Sequence, residues 1–173
     1  MAKVLLHVCC APCATHAIEL LKKEHDVSMF FSGSNIYPED EYRKRLENAS
    51  RLAKAHGLEL IEDSYEHGAW KAFIRGLENE PEKGKRCEKC FEFSLLRTSA
   101  YAKENGFDLF STTLTTSPHK DSGKIFSIGK KLGNFLDIDF KKKEGFLHSI
   151  RLSKKLGLYR QEYCGCEFSM KSK

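Results

Sequence analysis

The sequence contains no apolar run that approaches the length of a transmembrane helix, which excludes an ordinary membrane-spanning protein. The apolar segment at 4–8 is too short for the core of a signal peptide, so we expect a cytoplasmic protein with no membrane partner. A Walker-type loop, a GxGxxG pattern and a Ser-Gly-Gly loop after the first predicted strand are all missing, which weighs against nucleoside triphosphate chemistry. Repeats, low-complexity tracts and linkers are also missing, and we expect residues 1–173 to form a single domain.

Cysteine, by contrast, is abundant, with seven residues in a chain of 173. Because the cytoplasm keeps thiols reduced, these cysteines are not expected to form a disulfide scaffold, and their odd number would leave one unpaired. The composition therefore predicts metal binding or redox catalysis.

Three of the seven cysteines lie within five positions, at Cys9, Cys10 and Cys13. They follow the apolar segment 4–8, which predicts a buried strand, and they precede a helical pattern in which Pro12 suits the first turn. Ligands of open α/β sheets bind at such strand ends, and a helix N-terminus favours thiolates. We interpret this stretch as the centre of the functional site.

The rest of the chain alternates between strand and helix patterns, which predicts a parallel sheet with helices on its faces. Predicted strands cover 26–31, 58–62 and 107–112, with a possible fifth at 134–139. Predicted helices cover 39–56, from about 87 to 105, from 117 to 132 and 149–156. The segment 141–143 is a run of three lysines and predicts a basic surface loop.

Cys87 and Cys90 lie one turn apart if a helix begins near Cys87. Together with Cys9 and Cys10 they would supply four thiolates from two strand-to-helix junctions, enough for a four-iron cluster or a tetrahedral zinc. Zinc sites usually draw on two Cys-x-x-Cys pairs, so the vicinal pair favours iron–sulfur. Three roles remain open for Cys13: a ligand of a second metal, an activated thiolate, or a small buried residue of the helix.

Cys164 and Cys166 are separated by one glycine. A disulfide between them would close a small strained ring and be easily reduced, which suits an electron relay. The alternative is a pair of unconnected thiols.

Two polar regions suggest a substrate. The strand 107–112 is followed by hydroxyl residues and then by His119 and Lys120. At a strand end these side chains would contact a polar ligand, or several of them would only cap a helix. The last third, 124–173, holds 12 lysine and arginine residues against 5 acidic ones, whereas 1–123 is slightly acidic. This asymmetry fits a polyanionic partner, nucleic acid first, or a solvated basic face.

Four motifs, taken together and in order, resemble the QueH-type epoxyqueuosine reductases: HVCCAPC at 7–13, RCEKC at 86–90, the segment from Thr112 to Lys120, and YRQEYCGC at 159–166. The resemblance implies a Rossmann-like, three-layer α/β domain with a mainly parallel sheet, similar to adenine-nucleotide α-hydrolases, and a cysteine-rich site at the carboxyl ends of the strands. It also implies reduction of the epoxide of epoxyqueuosine at the tRNA wobble position, the last step of queuosine biosynthesis. The implied cofactors are a [4Fe-4S] cluster and an additional iron ion, and the implied partner is tRNA with a queuosine-type anticodon.

The resemblance assigns roles to residues of this chain. The cluster ligands would be Cys9, Cys10, Cys87 and Cys90, with Cys13 as a candidate ligand of the additional iron. Cys164 and Cys166 would be redox thiols, and His119, Tyr159 and His7 would be the candidate proton donors. Basic residues would contact tRNA: Lys120, Arg160, Lys141 and Lys142. Two other function classes stay open, a zinc-stabilised nucleic-acid-binding module and a thiol–disulfide oxidoreductase that uses Cys87 and Cys90.

Overall fold

The computed structural model describes residues 1–172, with side chains through Met170; Lys173, the last residue of the predicted basic third, lies outside the described residues. Within this range four strands form one sheet: β1 (Ala2–Val8), β2 (His25–Phe31), β3 (Leu60–Glu62) and β4 (Leu109–Thr112). The strand order is β3-β2-β1-β4, and every pairing is parallel. The predicted α/β architecture with a parallel sheet is therefore confirmed.

Six α-helices connect and cover these strands: α1 (Ala11–Leu21), α2 (Glu39–His56), α3 (His67–Phe73), α4 (Lys85–Glu104), α5 (Ser122–Leu132) and α6 (Gly145–Lys155), counted over the described residues. Short 3₁₀ helices cover Thr113–Thr116 and Glu167–Ser172. No helix among residues 1–172 is long and apolar enough to cross a bilayer.

The central strand β1 is buried on both faces, because it is apolar almost without interruption. Val4, Leu6 and Val8 face one core together with side chains of α1 and α2. Leu5 faces the other core with Phe30 of β2 and side chains of α4 and α5. Helices thus lie on both faces of the sheet, and the carboxyl ends of all four strands meet at one edge.

Helix α5 begins later than the sequence pattern predicts. The prediction used Ser117 and Pro118 as the helix start, whereas the helix begins at Ser122. The reason is local capping: Thr112 accepts a hydrogen bond from Leu114 N and begins the 3₁₀ turn, and Asp121 caps α5 by accepting from Lys124 N.

The predicted fifth strand at 134–139 is reduced to a single bridge. Phe110 and Phe135 pair in parallel through two backbone hydrogen bonds, after which the chain leaves the sheet. Leu136 and Ile138 still pack against the main core. The apolar pattern of this segment therefore reflects burial and not pairing with a neighbouring strand. Helix α6 then packs against α1.

A thiol-rich candidate active site at the carboxyl edge of the sheet

The first thiol group lies where β1 passes into α1. Cys10 is the N-cap residue of α1 and is buried, while Cys9 and Cys13 on either side are partly exposed. The thiols of Cys9 and Cys13 both donate to the sulfur of Cys10, which lowers the pKa of Cys10 well below its usual range although burial opposes this. The same contacts raise the pKa values of Cys9 and Cys13. Cys10 is thus the thiol of this group that ionises first.

Buried threonines hold this junction in place. Thr112 is 2.8 Å through its Oγ1 from His7 Nδ1, and Thr113 Oγ1 donates to the carbonyl of His7. Thr116 Oγ1 donates to the carbonyl of Cys13 at 2.9 Å. Thr112, Thr113 and Thr116 therefore point inward and position the β1–α1 junction. They are not the substrate-facing surface that the sequence suggested as one alternative.

His7 belongs to the same scaffold. Its Nε2 lies 3.1 Å from the carbonyl oxygen of Ser32, and the ring is buried. Burial lowers the pKa of His7 to about 4, which keeps the imidazole neutral near pH 7. The His7 side chain therefore supports the junction through its hydrogen bonds and is an unsuitable proton donor.

The second thiol group surrounds a cavity beside the first. Cys87 and Cys90 lie in the first two turns of α4, after the N-cap Gly84, and Cys164 and Cys166 lie in the tail. All four line the cavity. Cys87 Sγ accepts a hydrogen bond from the backbone N–H of Lys83 at 3.3 Å, and burial raises the pKa of both Cys87 and Cys90.

Lys120 lies between the two groups. Its side chain lines the cavity that holds the second group, and it interacts electrostatically with Cys164 and with all three thiols of the first group. Burial alone would lower the pKa of this ammonium, but the surrounding sulfurs outweigh it and raise the pKa above its usual range. Lys120 thus interacts with four of the thiols and lines one cavity with the other three, Cys87, Cys90 and Cys166.

Arg45 fixes the tail, a role that the sequence did not predict. Glu41 and Arg45 form an ion pair at i,i+4 spacing on α2, and Arg45 is only 1% exposed. Its guanidinium donates to the carbonyls of Tyr163 and Cys164 at 3.0 and 2.8 Å and is held by Glu41 at 2.9 Å. Gly165 packs so closely here, at φ 144°, that an added Cβ would lie 3.1 Å from Arg45 Nη1.

The two other candidate proton donors, His119 and Tyr159, lie in different settings. His119 is exposed at the cavity, as a proton donor should be. Tyr159 is hydrogen-bonded through its hydroxyl to both oxygens of Glu41, and burial and this carboxylate raise its pKa to about 12. Its hydroxyl therefore faces α2, and Tyr159 is not among the side chains that line the cavity in the described part of the chain.

The basic residues also differ from one another. Lys142 is exposed. Arg160 is exposed, donates to Ser153 Oγ at 3.2 Å and lies close enough to Cys13 to affect its charge. Lys141 is not the free surface lysine that the sequence suggested, because its ammonium binds Asp139 at 3.0 Å, the Thr115 carbonyl and Ser122. It ties the loop to α5 and offers little to a partner.

The donor set suits a soft metal cluster. Among the described residues, no three side chains of His, Cys, Asp or Glu are arranged to hold a single metal ion. Seven thiols in two adjacent groups, partly desolvated and next to a half-buried cation, nevertheless match the chemistry of an iron–sulfur centre, which takes one thiolate per iron. The residues present fit such a cluster better than a lone zinc ion.

Comparison with known proteins gives a consistent result. A family model described as "Epoxyqueuosine reductase QueH" matches residues 4–172. Proteins named Epoxyqueuosine reductase QueH are similar over nearly the whole chain. That of Streptococcus pyogenes serotype M1 is 37% identical over 179 residues (97% of this chain and 70% of its own length). That of Acinetobacter baylyi is 39% identical over 176 residues, which are 98% of this chain and 81% of its own length. That of Thermotoga maritima is 38% identical over 178 residues, which are 98% of this chain and 91% of its own length.

Among solved structures, the U34-tRNA thiolase NcsA from Methanococcus maripaludis with its [4Fe-4S] cluster matches with a TM-score of 0.57. It is 12% identical and the match covers 98% of this chain and 62% of that one, so the likeness shows the α/β fold alone. The family match and the identity to the curated relatives go further. The chain belongs to the QueH epoxyqueuosine reductase family, whose members are oxidoreductases that act in tRNA modification.

Proposed function

We propose that this protein reduces the epoxide of epoxyqueuosine at the wobble position of tRNA to give queuosine. The observation that carries the proposal is the gathering of seven thiols in two adjacent groups, with Lys120 between them, at the carboxyl edge of the sheet. Such a site can hold a redox cofactor, store reducing equivalents in thiols and place a cation next to a leaving oxygen. Family membership supports this substrate over the zinc-stabilised binding module and the thiol–disulfide oxidoreductase.

The proposed cluster ligands are Cys9, Cys10, Cys87 and Cys90, two from each side of the site. A [4Fe-4S] cluster, when bound, supplies one-electron transfer. The two ligands at the β1–α1 junction are supported by buried threonines, and the two on α4 by the first turns of a long helix. Cys13, which contacts Cys10, is the proposed ligand of the additional iron.

The two tail thiols can meet the redox demand of the reaction. Conversion of an epoxide to an alkene consumes two electrons and two protons, breaks both C–O bonds and releases water. Oxidation of the Cys164 and Cys166 thiols to a disulfide supplies two electrons and two protons. Cys164 is exposed and Cys166 is buried, so one thiol faces solvent and the other faces the interior. An external reductant then restores the dithiol.

Protons and orientation come from the residues at the cavity mouth. His119 is exposed there and is the proposed proton donor, because Tyr159 is engaged with Glu41. The Lys120 ammonium can donate a hydrogen bond to the departing oxygen and offset its negative charge. The exposed side chains of Lys142 and Arg160 are the proposed contacts to the tRNA backbone.

The proposal is tested by incubating anaerobically prepared protein with tRNA that carries epoxyqueuosine and a chemical reductant. Nucleoside mass spectrometry should then show queuosine, and the yield should depend on iron loading. A protein that carries a full complement of iron and sulfide but leaves the epoxide intact would contradict the proposed substrate. Reduction of a protein disulfide by metal-free protein would instead support a thiol–disulfide oxidoreductase.

A further inference from the structure

Trp70 on α3 has a buried polar atom without a partner. The side chain is fully buried, and its Nε1–H has no hydrogen-bond partner among the described residues. A buried donor left unpaired is costly, and in a native protein it needs an explanation. Here the explanation must lie in the cavity, because Trp70 lines the same cavity as the second thiol group.

The neighbours of this indole fix its orientation. The ring stacks against His67 at a centroid distance of 5.4 Å and lies 6.3 Å from the ring of Phe168. It packs in one apolar cluster with Cys90 and Cys166. Trp70 also shares the wall of the cavity with Cys90. The unpaired N–H therefore lies within the group of side chains that includes the Cys90 thiol.

Cys87, the other cysteine of the motif at 86–90, also has an N–H donor next to it. Cys87 Sγ accepts from the backbone N–H of Lys83, a residue held at a φ of 69° in the loop before α4. A non-glycine residue in this conformation is strained, so the loop adopts an unfavourable geometry that directs an N–H at sulfur. Both cysteines of α4 are thus next to an N–H group, one from the backbone and one from a side chain.

We infer that the Trp70 indole N–H donates to the sulfur of Cys90 and is a positioning residue that tunes the redox centre proposed above. An N–H···S hydrogen bond stabilises the more negatively charged, reduced state of a thiolate-bound centre, and so raises its reduction potential. The inference that this bond tunes the potential rests on the proposed cluster, but the bond itself does not.

Because Trp70 is the single tryptophan in the sequence, the bond can be removed without changing the shape of the side chain. Full-length protein is produced in a tryptophan auxotroph with benzothienyl-alanine, which has the indole outline but no N–H. Protein with 5-fluorotryptophan, which keeps the N–H, is the matched control. The iron and sulfide contents and the reduction potential are measured on both after anaerobic reconstitution.

We expect equal iron and sulfide in the two proteins and a more negative reduction potential in the benzothienyl-alanine protein. Equal potentials at equal cluster content would overturn the tuning role. Loss of the cluster in the benzothienyl-alanine protein alone would show that the N–H is needed to hold the centre and does not merely tune its potential, and would also overturn the tuning role.

A cofactor-free readout separates this inference from the proposed function. In ¹⁵N-labelled apoprotein the single indole N–H gives one signal, which should shift upfield in Cys90→Ala but stay nearly unchanged in Cys87→Ala. An indole signal that is insensitive to Cys90→Ala would refute the hydrogen bond whatever the cluster content. If wild-type protein never takes up iron and sulfide, the proposed cofactor and the tuning role both fail, while this signal still decides the bond.

Discussion

The two ends of the site are built in different ways. Cys9, Cys10 and Cys13 lie at a junction between the most buried strand and a helix, and threonine hydroxyls hold the carbonyls on either side. Cys164 and Cys166 lie in a tail that side chains hold in place: Arg45 of α2 donates to the carbonyls of Tyr163 and Cys164, and Tyr159 donates to Glu41. A fixed junction suits ligands that keep a cofactor in place, whereas a side-chain clamp suits thiols that must exchange electrons and change partners. Substitutions in the two regions should therefore differ in their effects on iron content and on turnover.

Removing a proposed ligand of the cluster should have the largest effect. Cys87→Ala or Cys10→Ala should abolish both cluster iron and epoxide reduction, because each removes one of four thiolates. Iron and sulfide analysis together with the nucleoside assay measures both. Cys13→Ala is the matched comparison and should lose only the additional iron. A fully active, fully loaded Cys87→Ala protein would refute the ligand assignment.

Removing a thiol of the tail should separate iron content from turnover. In Cys164→Ala or Cys166→Ala the cluster should remain, since neither is a proposed ligand, but multiple turnover should be lost because the dithiol can no longer form. Wild-type turnover in both variants would show that these thiols do not carry the electrons. Loss of iron in either variant would place them among the ligands instead.

Loosening the tail should have an intermediate effect. Arg45→Met leaves two carbonyls of the tail and Glu41 without their partner, and we expect a loss of about 2 kcal/mol in the free energy of unfolding and slower turnover at unchanged iron content. Arg43→Met, on the same helix but in an exposed ion pair with Glu39, should cost less than about 0.5 kcal/mol. Urea denaturation compares the two, and equal stabilities would mean that Arg45 does not clamp the tail.

The surface lysines should give the smallest effect. The double substitution Lys142→Glu and Lys143→Glu should weaken tRNA binding and reduce the slope of log affinity against log salt by about 2, or about 1 per lysine. Lys23→Glu and Lys103→Glu, at the opposite, amino edge of the sheet, serve as the charge-matched control. An equal loss in both double variants would indicate a general charge effect and not a contact.

Periodicity was sufficient to predict most of the fold. The runs of apolar residues at β1 and β2 and the helix from Glu39 to His56 follow directly from local pattern, and Gly57 at a φ of 65° ends that helix as expected. The predicted start of α5 was wrong because the local caps Thr112 and Asp121, and not Ser117 and Pro118, decide where that helix begins. The predicted strand 134–139 was wrong because its burial and its single bridge depend on contacts with distant parts of the chain.

The site was predictable where its chemistry is unusual and not where it is ordinary. A vicinal cysteine pair stands out in any sequence, so the thiols could be found. Arg45 and Trp70 have common spacing and common roles in helices, and only the folded chain places one against the tail carbonyls and the other against the thiol cavity. For Lys141 the sequence suggested a free surface charge that the structure does not show. Its ammonium forms an ion pair with the neighbouring Asp139 and donates to the carbonyl of the distant Thr115.

Measurement of iron, zinc and acid-labile sulfide in anaerobically purified protein, with its visible absorption spectrum, tests the central claim most directly. We predict at least about four irons per chain with matching sulfide and a broad brown absorption, as for a four-iron cluster held by thiolates. One zinc per chain without sulfide, resistant to reconstitution with iron and sulfide, would contradict the redox site and favour a zinc-stabilised nucleic-acid-binding module.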